Sequence, residues 1–313
     1  MDEPREELRI SVVSSVYQAA ACVDEFQRRV SAALAGITDA YEIILVDDGS
    51  LDVSWDRITE LARQDSRVRG LRLSRNFGQH LAIAAGLSAS RGTYVIVLDC
   101  DLQDPPELIP QLVEQADAGY DVVATIRRSR SASWFRTNAS KLFYLLTRML
   151  SSPYVRPNSN TFSLIKRKVV KAYLRTFDRY SPYPFVLNWL GFRTTYIEMD
   201  HARRAAGSSS YTLTKLVRVA VNGLVTQSTR LLHISTVIGL LFSVLSLIQI
   251  IWIIYIKLTR TGVLPGWASV MAVLWFVGGT ILFSLGVVGL YLTRMFEQTQ
   301  NRPPFVIGES TDD

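Results

Sequence analysis

Tyr94-Val95-Ile96-Val97-Leu98-Asp99-Cys100-Asp101-Leu102-Gln103-Asp104-Pro105-Pro106-Glu107 is the stretch on which the reading of this chain turns. Five apolar residues, three of them β-branched, have the length and composition of a buried strand. The run breaks directly into carboxylates at i and i+2, and Asp104 before Pro105-Pro106 has the chemistry of a helix start. Acidic pairs often do no more than end strands or cap helices. A hard divalent cation that keeps waters and substrate phosphates, however, needs only one or two carboxylates, so Asp99 and Asp101 are candidate Mg²⁺ or Mn²⁺ ligands.

Outward from this stretch the same grammar repeats. Strand-like runs at 8–16, 41–46, 68–73, 94–98 and 122–125 alternate with helix-length amphipathic runs at 23–34, 55–64, 80–89 and 106–118. Such alternation predicts an α/β domain, Rossmann-like, with a mainly parallel sheet and helices on both faces. Ligands of these sheets collect at the carboxyl ends of strands. Both acidic clusters, Asp47-Asp48 and Asp99/Asp101, fall at that edge. Taken alone, Asp47-Asp48-Gly49-Ser50 reads as a turn and cap. A carboxylate there could equally accept a pyrimidine imide N–H or a ribose hydroxyl, with Gly49 letting backbone approach a ligand.

Near the C-terminal end the pattern changes. Residues 234–256 and 267–293 carry no charge, and each run is long enough to cross a hydrocarbon core about 30 Å thick, so a two-helix transmembrane hairpin is expected. Trp252, Tyr255, Trp267 and Trp275 suit interface or packing positions. Arg203, Arg204, Lys215, Arg218 and Arg230 precede the hairpin and Arg294 and Arg302 follow it, against Lys257 and Arg260 in its loop. That bias predicts both termini in the cytoplasm and a multi-pass protein of the cytoplasmic membrane. The polar, acidic start of the chain lacks the features of a signal peptide, consistent with a cytoplasmic first domain. Residues 134–150 and 212–232 mix basic with aromatic and aliphatic residues, a pattern for helices lying in the headgroup layer or packing on the domain. The expected organisation is a catalytic domain over 1–211, a juxtamembrane helix over 212–232, the hairpin over 233–294 and a cytoplasmic tail over 295–313.

The net charge of +6 calls for an anionic partner or a solvated basic face, with basic residues crowded at 127–130, 166–168 and 203–204. No helix-turn-helix, zinc-finger or RNP pattern accompanies them, so lipid headgroups or phosphorylated substrates fit better than nucleic acid. Cys22 and Cys100 show no metal or disulfide spacing, and His80, His201 and His233 are scattered. Packing or surface roles are the default for the histidines.

Several motifs occur here in one order: Val46-Asp47-Asp48-Gly49-Ser50-Leu51-Asp52, Leu73-Ser74-Arg75-Asn76-Phe77-Gly78, the stretch from Asp99 to Glu107, and Arg204-Ala205-Ala206-Gly207 running on into Ser208-Ser209-Ser210-Tyr211. With the terminal apolar runs, this order resembles GT-A glycosyltransferases of family 2, in the polyprenyl-phosphate branch that holds dolichol-phosphate mannose synthase and the bacterial GtrB-like enzymes. The resemblance covers nearly the whole chain. It implies an inverting hexosyltransferase that moves a sugar from a UDP or related pyrimidine-nucleotide donor to a polyprenyl phosphate such as undecaprenyl phosphate. By it, Tyr17, Asp47, Asp48, Gly49, Ser50 and Arg75 face the nucleotide, while Asp99, Asp101 and Gln103 surround the metal and diphosphate. Arg204 becomes the cation for the departing diphosphate, a role that lipid-headgroup binding by Arg203-Arg204 does not exclude.

Two departures stand out. Ser15-Val16-Tyr17-Gln18-Ala19 lacks the Pro, Asn and Glu of the usual first loop, and Asn160-Thr161-Phe162 stands where many GtrB-like enzymes carry Gly-Asp-Phe. A phosphate monoester has a second pKa near 6, so a polyprenyl phosphate is largely dianionic and needs no protein base. Competing readings are transfer to a lipid-linked sugar hydroxyl and a degenerate, non-enzymatic membrane scaffold; a processive synthase would carry Gln-x-x-Arg-Trp and more spans. The sequence leaves homo-oligomerisation open.

Overall fold

The computed structural model describes residues 9–127, 159–176, 182–199, 237, 248, 251–252, 255, 266–300 and 302–312. The chain divides into two compact units, one formed by Met1–Ser133, Pro153–Ser210 and Pro303–Asp313, the other by Trp134–Ser152 and Tyr211–Arg302.

The first unit is built on strands β1 (Ile10–Val16), β2 (Tyr41–Asp47), β3 (Val68–Leu73), β4 (Tyr94–Val97), β5 (Val122–Arg127), β6 (Ser159–Lys166), β7 (Thr194–Met199) and β8 (Ile307–Ser310), in the sheet order β7-β5-β6-β4-β1-β2-β3-β8. Helices α1 (Ala20–Leu34), α2 (Ser54–Gln64), α3 (Gln79–Ala89), α4 (Ile109–Asp117, after a 3₁₀ turn over Pro106–Leu108), α5 (Arg167–Arg175) and α6 (Tyr183–Trp189) connect and cover it. β2 is buried at every residue and β1 at all but one, as central strands covered on both faces must be.

Each face has its own core. Val23, Phe26, Val30 and Leu34 of α1, Trp55 and Ile58 of α2, and Ile109, Leu112 and Val113 of α4 close one face over Val12, Val16, Ile43, Leu45 and Ile96. The buried run of α3 and Val169, Val170 and Tyr173 of α5 close the other over Val13, Ile44, Val46, Val95 and Val97. α3 lies close to β1: a Cβ built on Gly86 would stand 2.3 Å from Val13 Cγ1, so any side chain there would push the helix off the sheet.

The four strands β3-β2-β1-β4 pair in parallel, in line with the alternation in the sequence. The sheet as a whole is mixed, which corrects the expectation of a mainly parallel one. β6 inserts antiparallel between β4 and β5, β5 pairs parallel with β7, and β8 adds antiparallel to β3. Within residues 295–313, expected as a tail, Ile307–Ser310 form an edge strand of the first unit.

Of the second unit, the structure describes one long helix, α7 (Trp267–Thr299), which coincides with the expected second span. Its window Phe276–Thr293 has a mean hydropathy of 1.8, and this is the one helix among the described residues long and apolar enough to cross a membrane. The expected first span at 234–256 lies mostly outside the described residues; Val237, Ile248, Ile251, Trp252 and Tyr255 within it are helical and exposed. The candidate helices at 134–150 and 212–232 lie outside the described residues altogether.

Candidate active site at the carboxyl edge of the sheet

Register brings the acidic clusters to one edge. Val16 sits opposite Asp47 and Val13 opposite Val97, so β1, β2 and β4 release their chains on the same side. Hydrogen bonds then tie the loops into a continuous rim. Gln18 N–H donates to Ser50 Oγ at 3.0 Å, Phe77 and Gly78 N–H donate to Asp48 at 2.7 and 2.9 Å, and Gln79 Nε2 donates to Asp99 Oδ1 at 2.8 Å. Two non-glycine residues on this rim, Gln18 (φ 49°) and Leu102 (φ 59°), adopt left-handed backbone, a costly conformation concentrated where chains are shaped for ligands.

Within the rim the candidate residues fall into two sets. Asp47 is fully buried: its Oδ1 accepts the Ser50 N–H at 3.1 Å, and Arg72 Nε lies 3.3 Å from its Oδ2, an ion pair outside hydrogen-bond geometry. Asp48 is 2% exposed, with each carboxylate oxygen accepting one backbone N–H of the 77–78 loop. Burial raises its pKa, Asp47 adds to that, and the two N–H groups oppose it. Gly49 (φ 67°) does permit a close approach, but the neighbour is the chain itself. A Cβ there would lie 2.5 Å from Arg75 C and 2.6 Å from Asn76 N.

Tyr17 and Arg75 stay exposed beside this corner, the Arg75 guanidinium 4.6 Å from the centre of the Phe77 ring. They leave an aromatic ring and a cation at the surface, groups able to stack on a planar ring and to pair with an anion.

The second set surrounds β4's exit. Cys100 is buried in the core, its thiol pKa raised by that burial, while Asp99 and Asp101 on either side are half-exposed. Asp101 Oδ1 accepts the Gln103 N–H at 3.1 Å. Gln103 is 5% exposed, and its Nε2 has no hydrogen-bond partner among the described residues. Behind it, Asn160 Nδ2 donates to the buried Asp104 at 2.6 Å and Asn160 Oδ1 accepts the Thr161 N–H at 2.9 Å, fixing β6 to the acidic loop. No three-residue cluster of His, Cys, Asp and Glu suited to a metal occurs among the described residues. Two half-exposed carboxylates with a buried amide donor behind them fit a hard cation completed by substrate phosphates and water, and they do not fit a structural zinc site.

Sequence reasoning missed Gln79 and Arg72, and it met Asn160 only as part of the Asn160-Thr161-Phe162 departure and not as a partner of Asp104; all three act through contacts 20 to 56 residues away in the chain. Gln79 also carried a signal, sitting next to the Asn76-Phe77-Gly78 motif. Arg204 lies outside the described residues. His80 is half-buried, with its pKa lowered by burial and Nδ1 3.4 Å from the Tyr183 N–H, a packing position.

Two acidic corners thus share one edge of the sheet, at the ends of β2 and β4, and comparison with known proteins gives the family. Residues 11–174, just over half of the chain, match "Glycosyl transferase family 2". The chain belongs to glycosyltransferase family 2. Its place in the polyprenyl-phosphate branch follows from relatives that match almost end to end. An undecaprenyl-phosphate 4-deoxy-4-formamido-L-arabinose transferase of Edwardsiella ictaluri is 37% identical over 95% of this chain and 93% of its own. An uncharacterized glycosyltransferase of Synechocystis is 33% identical over 96% and 95%. The fold of the family 2 enzymes is GT-A, seen here as the mixed α/β sheet. Glucosyl-3-phosphoglycerate synthase from Mycobacterium tuberculosis, solved with Mn²⁺, UDP and phosphoglyceric acid, overlaps 70% of this chain and 76% of its own at 20% identity and a TM-score of 0.46, a likeness too weak to build on.

Proposed function

We propose that this glycosyltransferase moves a sugar, with inversion, from a UDP or related pyrimidine-nucleotide donor to a polyprenyl phosphate such as undecaprenyl phosphate. The observation that carries the reading is the pair of half-exposed carboxylates, Asp99 and Asp101, on the same sheet edge as the Asp47-Asp48 corner with β1 between them. The acceptor class is supported by the names of relatives that match nearly the full chain.

In the reaction an acceptor phosphate oxygen attacks the anomeric carbon while the bond from that carbon to the donor diphosphate breaks, and the electron pair leaves with the nucleoside diphosphate. Asp99 and Asp101 would hold Mg²⁺ or Mn²⁺, which when bound offsets the charge gathering on the diphosphate. Gln103 would add an amide donor for an oxygen at that corner, while Tyr17 and Arg75 would flank the base and phosphates. Arg204, by its motif, supplies a second cation for the leaving group. The acceptor's own ionisation makes a protein base unnecessary, so Thr161 in place of an acid is compatible with turnover.

The apolar helix α7, with the uncharged run at 234–256, forms in this reading a two-helix hairpin preceded by the 212–232 juxtamembrane helix. Both termini and the catalytic domain of residues 1–211 lie on the cytoplasmic side. A reporter fused after Asp313 should be cytoplasmic and one inserted near Gly262 external; the reverse would defeat this topology.

The functional test is incubation of purified protein with a panel of UDP-, GDP- and dTDP-sugars, using undecaprenyl phosphate and undecaprenol as alternative acceptors. Metal-dependent transfer from a pyrimidine-nucleotide donor to the phosphate, following its ionisation near pH 6, is the expected result. Comparable transfer to the free alcohol would overturn the acceptor assignment.

A further inference from the structure

β8 completes the sheet edge next to β3, and one of its side chains reaches back to the nucleotide corner. In the antiparallel register Glu309 lies directly opposite Arg72, which puts the two side chains on one face. Glu309 Oε1 accepts from Arg72 Nη1 at 2.9 Å and its Oε2 accepts from Trp55 Nε1 at 3.0 Å. The Arg72 guanidinium lies 5.9 Å from the centre of the Trp55 ring, and its Nε is the group 3.3 Å from Asp47 Oδ2. One guanidinium thus bridges an exposed carboxylate on β8 and a fully buried one at the end of β2.

Asp47 has no exposed surface, so its charge depends on the Ser50 N–H and Arg72 for compensation. Arg72 in turn is one-third exposed and has several rotamers open to it unless both ends of its guanidinium are held. Glu309 and Trp55 hold the outer end. The strand carrying Glu309 is secured independently, by Thr311 N–H to Gly70 O at 3.0 Å, Ser74 N–H to Val306 O at 2.9 Å, and the ion pair between Arg69 and Asp312.

We propose that β8 is a working part of the donor site, with Glu309 a positioning residue that acts through Arg72 on Asp47 and so fixes the Asp47-Gly49-Ser50 turn for the nucleotide. This rests on the reading of that corner as the nucleotide-binding one. Glu309 touches no substrate, and its loss acts on donor binding and not on the acceptor or the chemical step.

The experiment compares Glu309→Gln, which keeps an acceptor for Trp55 but removes the charge, with Asp312→Ala, which loosens β8 at Arg69 without touching Arg72, and with Asp47→Asn. Each full-length variant is assayed for donor KM, acceptor KM and kcat, and for UDP affinity by calorimetry. Glu309→Gln should raise donor KM and the UDP Kd about fivefold, the scale of a partly exposed charge pair, with kcat and acceptor KM unchanged. Asp312→Ala should leave both near wild type. A donor effect in Asp47→Asn with none in Glu309→Gln would overturn the coupling and leave the nucleotide reading standing. Unchanged UDP affinity in all three would overturn both. Equal effects of Glu309→Gln and Asp312→Ala would reduce β8 to general support and overturn the assignment.

Discussion

The sheet edge carries two pairs of aspartates that look alike in sequence and differ in every physical respect. Asp47 and Asp48 are adjacent, buried, and committed to Ser50, Arg72, Phe77 and Gly78. Asp99 and Asp101 are separated by a core cysteine, half-exposed, and bonded on their loop side to Gln79 and Gln103. Adjacent acids at a strand end alternate into the structure and become struts, whereas acids two apart share an outward side. Spacing by one residue thus separates a buried corner from a half-exposed one.

The sharpest way to break this contrast is at the outward pair. Asp99→Asn and Asp101→Asn should each lower turnover about 10²-fold or more, the cost of losing a main electrostatic stabiliser, while thermal unfolding stays near wild type. A folded Asp101→Asn with wild-type kcat would remove that residue from the reaction.

The inward pair should answer in stability. Gly49→Ala forces a side chain into left-handed backbone and into the Arg75–Asn76 peptide, and should cost roughly 2–4 kcal/mol in denaturant unfolding. Asp48→Ala strips the acceptor from two N–H groups and should cost roughly 2–3 kcal/mol. Either variant at wild-type stability would show that the corner is not the strut described here.

Much of this was legible in advance for a definite reason. The strands β1 to β4 and helices between them advertise themselves through local period, and Asp99/Asp101 through a strand running into acids. β6, β7 and β8 were not read, because their antiparallel and late-chain pairings are long-range. β8, Ile-Gly-Glu-Ser, also has no hydrophobic alternation to find. Gly49 was read as a place where backbone could approach a ligand, and the neighbour seen is the backbone of Arg75 and Asn76, which no local pattern discloses. The partners of Asp48 are likewise backbone groups, and backbone groups leave no signature in side-chain spacing.

The smallest effect sharpens the contrast through pH. Burial holds Asp48 above its unfolded value of about 3.9, so the folded state grips this proton more tightly. Its contribution to stability is therefore full below about pH 4 and is lost as pH rises through the folded value. The difference in unfolding free energy between wild type and Asp48→Asn should decline with rising pH across that window. A flat difference would mean that Asp48 is no more buried in effect than an exposed acid.

Metal binding decides between the two corners most directly. Titration of Mn²⁺ into full-length protein in the presence of UDP, followed by electron paramagnetic resonance, should give a bound-metal signal in wild type and in folded Asp48→Asn. In Asp99→Asn and Asp101→Asn the signal should be weakened by an order of magnitude or more. Retained Mn²⁺ affinity in both of those variants, with loss in Asp48→Asn, would contradict the account.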